Sequence, residues 1–158
     1  MKTKLRTKDI IFVLIVVGGL IMFVYQRFAF EGEEGELREG QEIASVVVGD
    51  SRIAAVIADT DEKRYLGLGN IDSLAMDRGM LFIHDEAGKY GYSMRGMRFD
   101  LDFVFIRDGK VVDIAKNVAR EYKGKIEGGT EYNRVLEVNA GWTRANEIKI
   151  GDEVIIEQ

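Results

Sequence analysis

The sequence predicts a mostly β fold, a compact antiparallel β-sandwich or barrel with one or two short helices, preceded by a single transmembrane helix. Three observations predict it. After residue 42, short runs rich in Val, Ile and Phe recur at intervals of about ten residues, separated by glycine-bearing turns. No strand–helix alternation of the length a parallel sheet requires interrupts them. The longest apolar block lies instead near the N-terminus, in a chain of 158 residues that is 46% hydrophobic and contains no cysteine and no proline.

Residues 10–25 (IIFVLIVVGGLIMFVY) are uncharged and mostly apolar. As a helix they reach roughly 24 Å, somewhat short of a hydrocarbon core of ~30 Å. Phe28, Ala29 and Phe30 extend the span to residues 10–30 if Arg27 snorkels outward. Lys2, Lys4, Arg6 and Lys8 precede it against one acid, Asp9, whereas residues 31–42 (EGEEGELREGQE) carry six acids and one base. This asymmetry puts residues 1–9 in the cytoplasm and everything after Phe30 outside it. A cleaved signal peptide would need small residues at its cleavage site, but Ala29 has the bulky Arg27 two positions before it. A buried helix of a soluble domain would show a polar face, which this block lacks. The expected arrangement is an uncleaved signal anchor crossing the plasma membrane once, with the lipid bilayer as the partner of residues 10–30. Residues 31–42 form an acidic, self-repelling tether, and residues 43–158 an extracytoplasmic domain.

In chain order, IASVVV (43–48) and RIAAVIA (52–58) flank Gly49-Asp50, a two-residue hairpin signal. Asp59, Thr60, Asp61 and Glu62 open a short helix that Gly67 and Gly69 would end. GMLFIH (79–84) is a third strand, and a turn-prone stretch leads to a fourth at 90–95. LDFVFI (101–106) and KVVDIA (110–115) form a hairpin across Asp108-Gly109. RVLEVN (134–139) and EVIIE (153–157) complete the strands, with a short helix at 142–147 between them.

Charge and residue inventory exclude several chemistries. Residues 31–158 hold 17 bases and 26 acids with no basic stripe, which argues against nucleic acid as a partner. Without cysteine there are no disulfides, thiolate metal sites or cysteine nucleophiles. The single histidine, His84, precludes a multi-histidine metal centre within one chain and reads as a strand-end residue at an exposed turn. No serine sits in a G-x-S-x-G elbow, and Gly67-Leu68-Gly69 closes a helix rather than cradling a phosphate. No cofactor, metal or catalytic set is therefore assigned.

Several motifs occur in a specific order: Arg64-Tyr65-Leu66-Gly67-Leu68, then Gly79-Met80-Leu81-Phe82, then Met94 followed by Leu101-Asp102-Phe103-Val104-Phe105-Ile106. Val135-Leu136-Glu137-Val138-Asn139-Ala140-Gly141 and Ile148-Lys149-Ile150-Gly151-Asp152 close the series. In this order and spacing the chain, over residues 58–154, resembles the uncharacterised family called domain of unknown function 192. The resemblance implies a compact, mostly β domain, often exported or membrane-anchored, and brings no established activity. The sequence departs from the family pattern where an aromatic usually precedes the methionine, here Ser93, and where a proline usually precedes the Leu-Asp pair, here Asp100.

The candidate binding residues are Met94, Arg95, Asp102, Glu137 and Asn139. On the strand 101–106, Asp102 shares a face with Val104 and Ile106, so a carboxylate in an apolar layer needs donors, from Arg95, Arg98 or the backbone of the 92–99 loop. Glu137 and Asn139, two apart on one strand, share a face and either grip a polar ligand or fasten a neighbouring loop. The expected function is non-enzymatic: a membrane-tethered domain binding an envelope partner or a small polar ligand. The alternative is acid/base chemistry on a glycan-like substrate, with Asp102 and Glu137 converging as a pair. A lesser alternative is Cu(I) binding by thioethers among Met76, Met80, Met94 and Met97 with His84. Trp142 with Tyr90, Tyr92, Tyr122 and Tyr132 either packs at a sheet edge or forms a platform for sugars or peptides.

Overall fold

The computed structural model describes residues 41–157. The expected anchor at 10–30 and nearly all of the tether at 31–42 lie outside the described residues, among which no helix is long and apolar enough to cross a membrane.

Seven strands form one sheet: β1 (Ile43–Val48), β2 (Ser51–Ala58), β3 (Arg78–Gly88), β4 (Leu101–Arg107), β5 (Lys110–Val118), β6 (Tyr132–Asn139) and β7 (Val154–Glu157). Their spatial order is β5-β4-β6-β3-β2-β1-β7. Both hairpins expected from sequence form. Gly49 turns β1 into β2 at φ +57°, and Asp108 and Gly109, both at positive φ, turn β4 into β5 as a type I′ turn does.

The sheet curls so far that its two end strands meet. Lys110 bridges Glu153, and the Val111 and Val154 amides donate to the carbonyls of Asp152 (2.9 Å) and Gly109 (2.7 Å). A single apolar cluster joins Val154 of β7 and Val111 of β5 with Val46, Ile53, Leu81, Val104 and Leu136, and so fills the inside of the curl. Trp142 and Ile148 plug it from the segment that follows β6. The opposite face carries a second core of Val56, Met80, Phe82, Phe103, Phe105 and Tyr132. Because both faces are covered, β4 is buried along nearly its whole length, which is why it reads as an unbroken apolar run.

Three expectations are corrected. The sheet, one curled half-barrel, falls on the barrel side of the expected sandwich or barrel. It is not wholly antiparallel: β2 and β3 pair in parallel, Val56 opposite Met80. The crossover between them, residues 59–77, contains only the helix α1 (Asp61–Leu66), too short to give a helical period in the sequence. Residues 90–95 form no strand but a loop held by reciprocal bonds between Tyr92 and Ile126. Finally, β3 runs past His84 to Gly88, so His84 lies within a strand.

Local signals explain the two helices among the described residues. Thr60 caps α1 by accepting from the Lys63 amide at 3.2 Å, and Gly67 ends it at φ +50°. The helix α2 is the single turn Trp142–Ala145, shorter than expected.

Gly79 lets β3 approach the β6 backbone closely. A Cβ there would lie 2.8 Å from the Glu137 carbonyl oxygen and 3.2 Å from Val138 Cγ1. Gly79→Ala should therefore cost about 1–3 kcal/mol by forcing β3 away from β6. Urea denaturation checks this, and a change below about 0.5 kcal/mol would contradict the packing.

Candidate functional site

Asp102 and Glu137 sit on adjacent, antiparallel strands, but the register sets them on opposite faces. Asp102 pairs with Val138, and Phe103 pairs with Glu137. Asp102 therefore points inside the curl, and Glu137 points outward beside Met80 and Phe103. The paired-carboxylate arrangement that acid/base chemistry would need does not form.

Asp102 is fully buried and fully satisfied. One carboxylate oxygen accepts from the Asn117 amide (2.7 Å). The other accepts from the amides of Gly141 (3.1 Å) and Thr143 (3.0 Å) and from the Thr143 hydroxyl (2.6 Å). The donors are thus the end of β5 and the turn into α2, not Arg95, Arg98 or the 92–99 loop. Asp102 is a tether that closes the barrel's end. Asn139 is also a tether: its Nδ2 donates to the carbonyls of Leu74 (2.8 Å) and Ala75 (3.2 Å). Met94 is packed into the outer core, 3% exposed.

Glu137 differs from all of these. It is 5% exposed, and its carboxyl makes no hydrogen bond or ion pair among the described residues. Burial alone pushes its pKa up to about 8, so the side chain carries a proton at neutral pH. It lies in the floor of an open cleft of about 370 Å³.

The cleft walls come from three places. From α1 and the turn after it come Asp61, Arg64, Tyr65 and the backbone of 67–69; from β3, Phe82 and His84; and from the following loop, Tyr90, Tyr92 and Arg95. These aromatic walls are ordered by contacts among themselves. The His84 ring stacks on Tyr90 at 3.5 Å between centroids, and its Nε2 lies 2.8 Å from the Tyr92 hydroxyl. Tyr92 meets Phe82 edge-on at 5.1 Å. Burial, with the Arg64 charge adding to it, pushes the His84 imidazole below its usual range and so favours the neutral ring. Burial and then the Glu137 charge hold the Tyr92 hydroxyl well above the usual tyrosine range, so it stays protonated.

The two arginines play different parts. Arg64 is committed: it donates to the carbonyls of Asp59 (2.7 Å) and Ile83 (2.6 Å) and pairs with Asp61 (2.7 Å), pinning α1 to β3. Arg95 stands at the exposed mouth with its guanidinium 4.6 Å from the Tyr65 ring centroid, a cation–π contact, and pairs with no carboxylate among the described residues.

Of the five candidates, then, the structure gathers Glu137 and Arg95 at the cleft and assigns Asp102, Asn139 and Met94 to holding the fold. Sequence reasoning missed Arg64, Tyr65 and His84 as cleft residues, and Tyr90 and Tyr92 flank the cleft without the proposed Trp142 platform. Trp142 is in the inner core. The thioethers are used for packing: Met80 and Met94 are in the outer core with Met97 packed against it, Met76 is 62% exposed, and His84 Nε2 is engaged by Tyr92. Among the described residues no group of three His, Asp or Glu is placed to hold a metal ion.

Comparison with known proteins agrees with this architecture. A "putative transcription regulator" of Sinorhizobium meliloti 1021 superposes with a TM-score of 0.69 at 25% identity, covering 77% of this chain and 97% of that one. A protein of unknown function from Novosphingobium aromaticivorans DSM 12444 superposes with a TM-score of 0.70 at 26% identity, covering 76% of this chain and 89% of that one. No curated protein matches the chain. The family model described as "Uncharacterized ACR" matches residues 44–156, nearly the whole curled sheet together with the cleft. The chain belongs to the domain of unknown function 192 family.

Proposed function

We propose that this domain is a small-molecule binding module, held outside the cytoplasmic membrane by residues 10–30, and that the Glu137 cleft is its site. One observation carries the reading: a nearly buried carboxyl without a partner, set in an open cleft. Leaving such a group in place lowers stability, and a hydrophobic residue there would pack against Met80 and Phe103 without that cost. A carboxyl that serves only the fold acquires donors, as Asp102 does. The cleft is small and aromatic-walled, with Asp61, Arg64, His84, Arg95 and Glu137 in its lining, which suits a small polar ligand. Nucleic acid is disfavoured by the acidity of residues 31–158, whatever the description of one structural neighbour suggests.

The test is a screen of small polar compounds against the isotope-labelled full chain in detergent. Hits should shift the amides of Gly67, Gly69, Tyr92 and Arg95 together, and Glu137→Leu should abolish those shifts. Hits scattered over other surfaces, or none, would overturn the reading.

A further inference from the structure

The charges around the cleft do not balance locally, and the imbalance has a direction. Asp61 neutralises Arg64, and His84 is driven toward its neutral form. Two ionisable groups are left without an ion-pair partner among the described residues: the Glu137 carboxyl at the floor, protonated in the empty cleft, and the Arg95 guanidinium at the mouth. A ligand that satisfied both would place a donor cation deep and an anion shallow. Phe82 and Tyr92 flank the floor, and aromatic walls beside a carboxylate suit an ammonium group, through the negative faces of the rings as well as the charge. At the mouth, a guanidinium fork suits a carboxylate.

Resting on the small-molecule reading, we propose that the cleft takes a small zwitterion, its primary ammonium seated against Glu137 and its carboxylate against Arg95. A neutral sugar would leave Arg95 unused, and a simple anion would leave Glu137 without a cation. A simple amine would have to pass Arg64 and Arg95 with no anion of its own to offset them. Pairing with the ammonium ionises Glu137, and the proton it held passes to solvent. The groups facing Glu137 across the cleft, Asp61, Arg64 and Tyr65 from α1, His84 from β3, and Tyr92 and Arg95 from the loop, do not replace this cation. The proton release is therefore a signature of the ammonium contact itself.

The experiment is calorimetry on the full chain with glycine, β-alanine, γ-aminobutyrate and ε-aminocaproate. Butylamine and butyrate serve as single-charge controls. Each titration is repeated at neutral pH in two buffers of different ionisation enthalpy. One or more zwitterions should bind at least about tenfold more tightly than either control, with close to one proton released per ligand. Glu137→Gln should abolish the proton release and weaken that zwitterion about tenfold or more. Arg95→Met, at the exposed mouth and outside either core, should weaken it similarly while leaving the proton release of the residual binding intact. Butyrate binding as tightly as γ-aminobutyrate without proton release overturns the zwitterion assignment and leaves the small-molecule reading standing. So does silence from all six probes when the wider screen finds neutral ligands at the cleft. Silence from both overturns both.

Discussion

Asp102→Ala should cost about 3–5 kcal/mol, a large fraction of the 5–15 kcal/mol that holds a domain of this size together. The substitution removes an acceptor, but its cost lies in what it leaves behind. The amides of Asn117 and Gly141, in half-buried bonds, and the buried amide and hydroxyl of Thr143 would all lose their partner. A buried unsatisfied donor costs about 1–3 kcal/mol, partly recovered where the loop relaxes toward water. Asp102→Asn keeps the shape but sets an amide N–H₂ against donors, and most of the loss should remain. Thr143→Val removes a single donor together with its need, and should cost only about 1 kcal/mol. Urea denaturation of the three variants checks the order. An Asp102→Ala protein within about 1 kcal/mol of wild type would mean the carboxylate is not the tether described.

Glu137→Gln should behave in the opposite way, and its effect depends on pH. The Glu137 pKa is raised by burial from 4.5 to about 8. Below about 4.5 both folded and unfolded chains hold the proton, and the group makes no pH-dependent contribution. Between 4.5 and about 8 the unfolded chain ionises while the folded one does not, so the wild type loses stability as pH rises, until the folded pKa is passed. The accumulated loss is on the order of 5 kcal/mol. Glutamine cannot ionise, so the variant should match wild type near pH 4 and be more stable by that order near pH 9. Stability curves of both proteins across this window check it. Parallel curves would show that Glu137 is ionised in the fold and has a partner there.

Much of the fold was legible because local chemistry determined it. Gly49-Asp50 and Asp108-Gly109 marked both hairpins, and Thr60 and Gly67 bounded α1. The alternation along β4 correctly divided Asp102, Val104 and Ile106 from Leu101, Phe103 and Phe105. The need of Asp102 for donors was readable, but their identity was not. Gly141 and Thr143 lie 39 and 41 residues further along the chain, and only the pairing of β6 beside β4 brings them near. The same holds for the relation of Asp102 to Glu137. Each strand's facing pattern is local, yet their mutual face depends on inter-strand register, and a shift of one residue would have reversed it. The parallel β2–β3 pair was hidden because its crossover is mostly irregular chain. The cleft was hidden for a related reason. Its floor is β6, its roof is α1 and the loop after β3, and no sequence period connects them.

The most direct test of the account is the titration of the Glu137 side-chain carboxyl itself, followed by ¹³C NMR on the isotope-labelled full chain without ligand. The carboxyl resonance should move with a midpoint near pH 8. A midpoint below about 5, in the ordinary glutamate range, would mean that water or a partner already satisfies the group, and the cleft would lose the feature that marks it as a binding site.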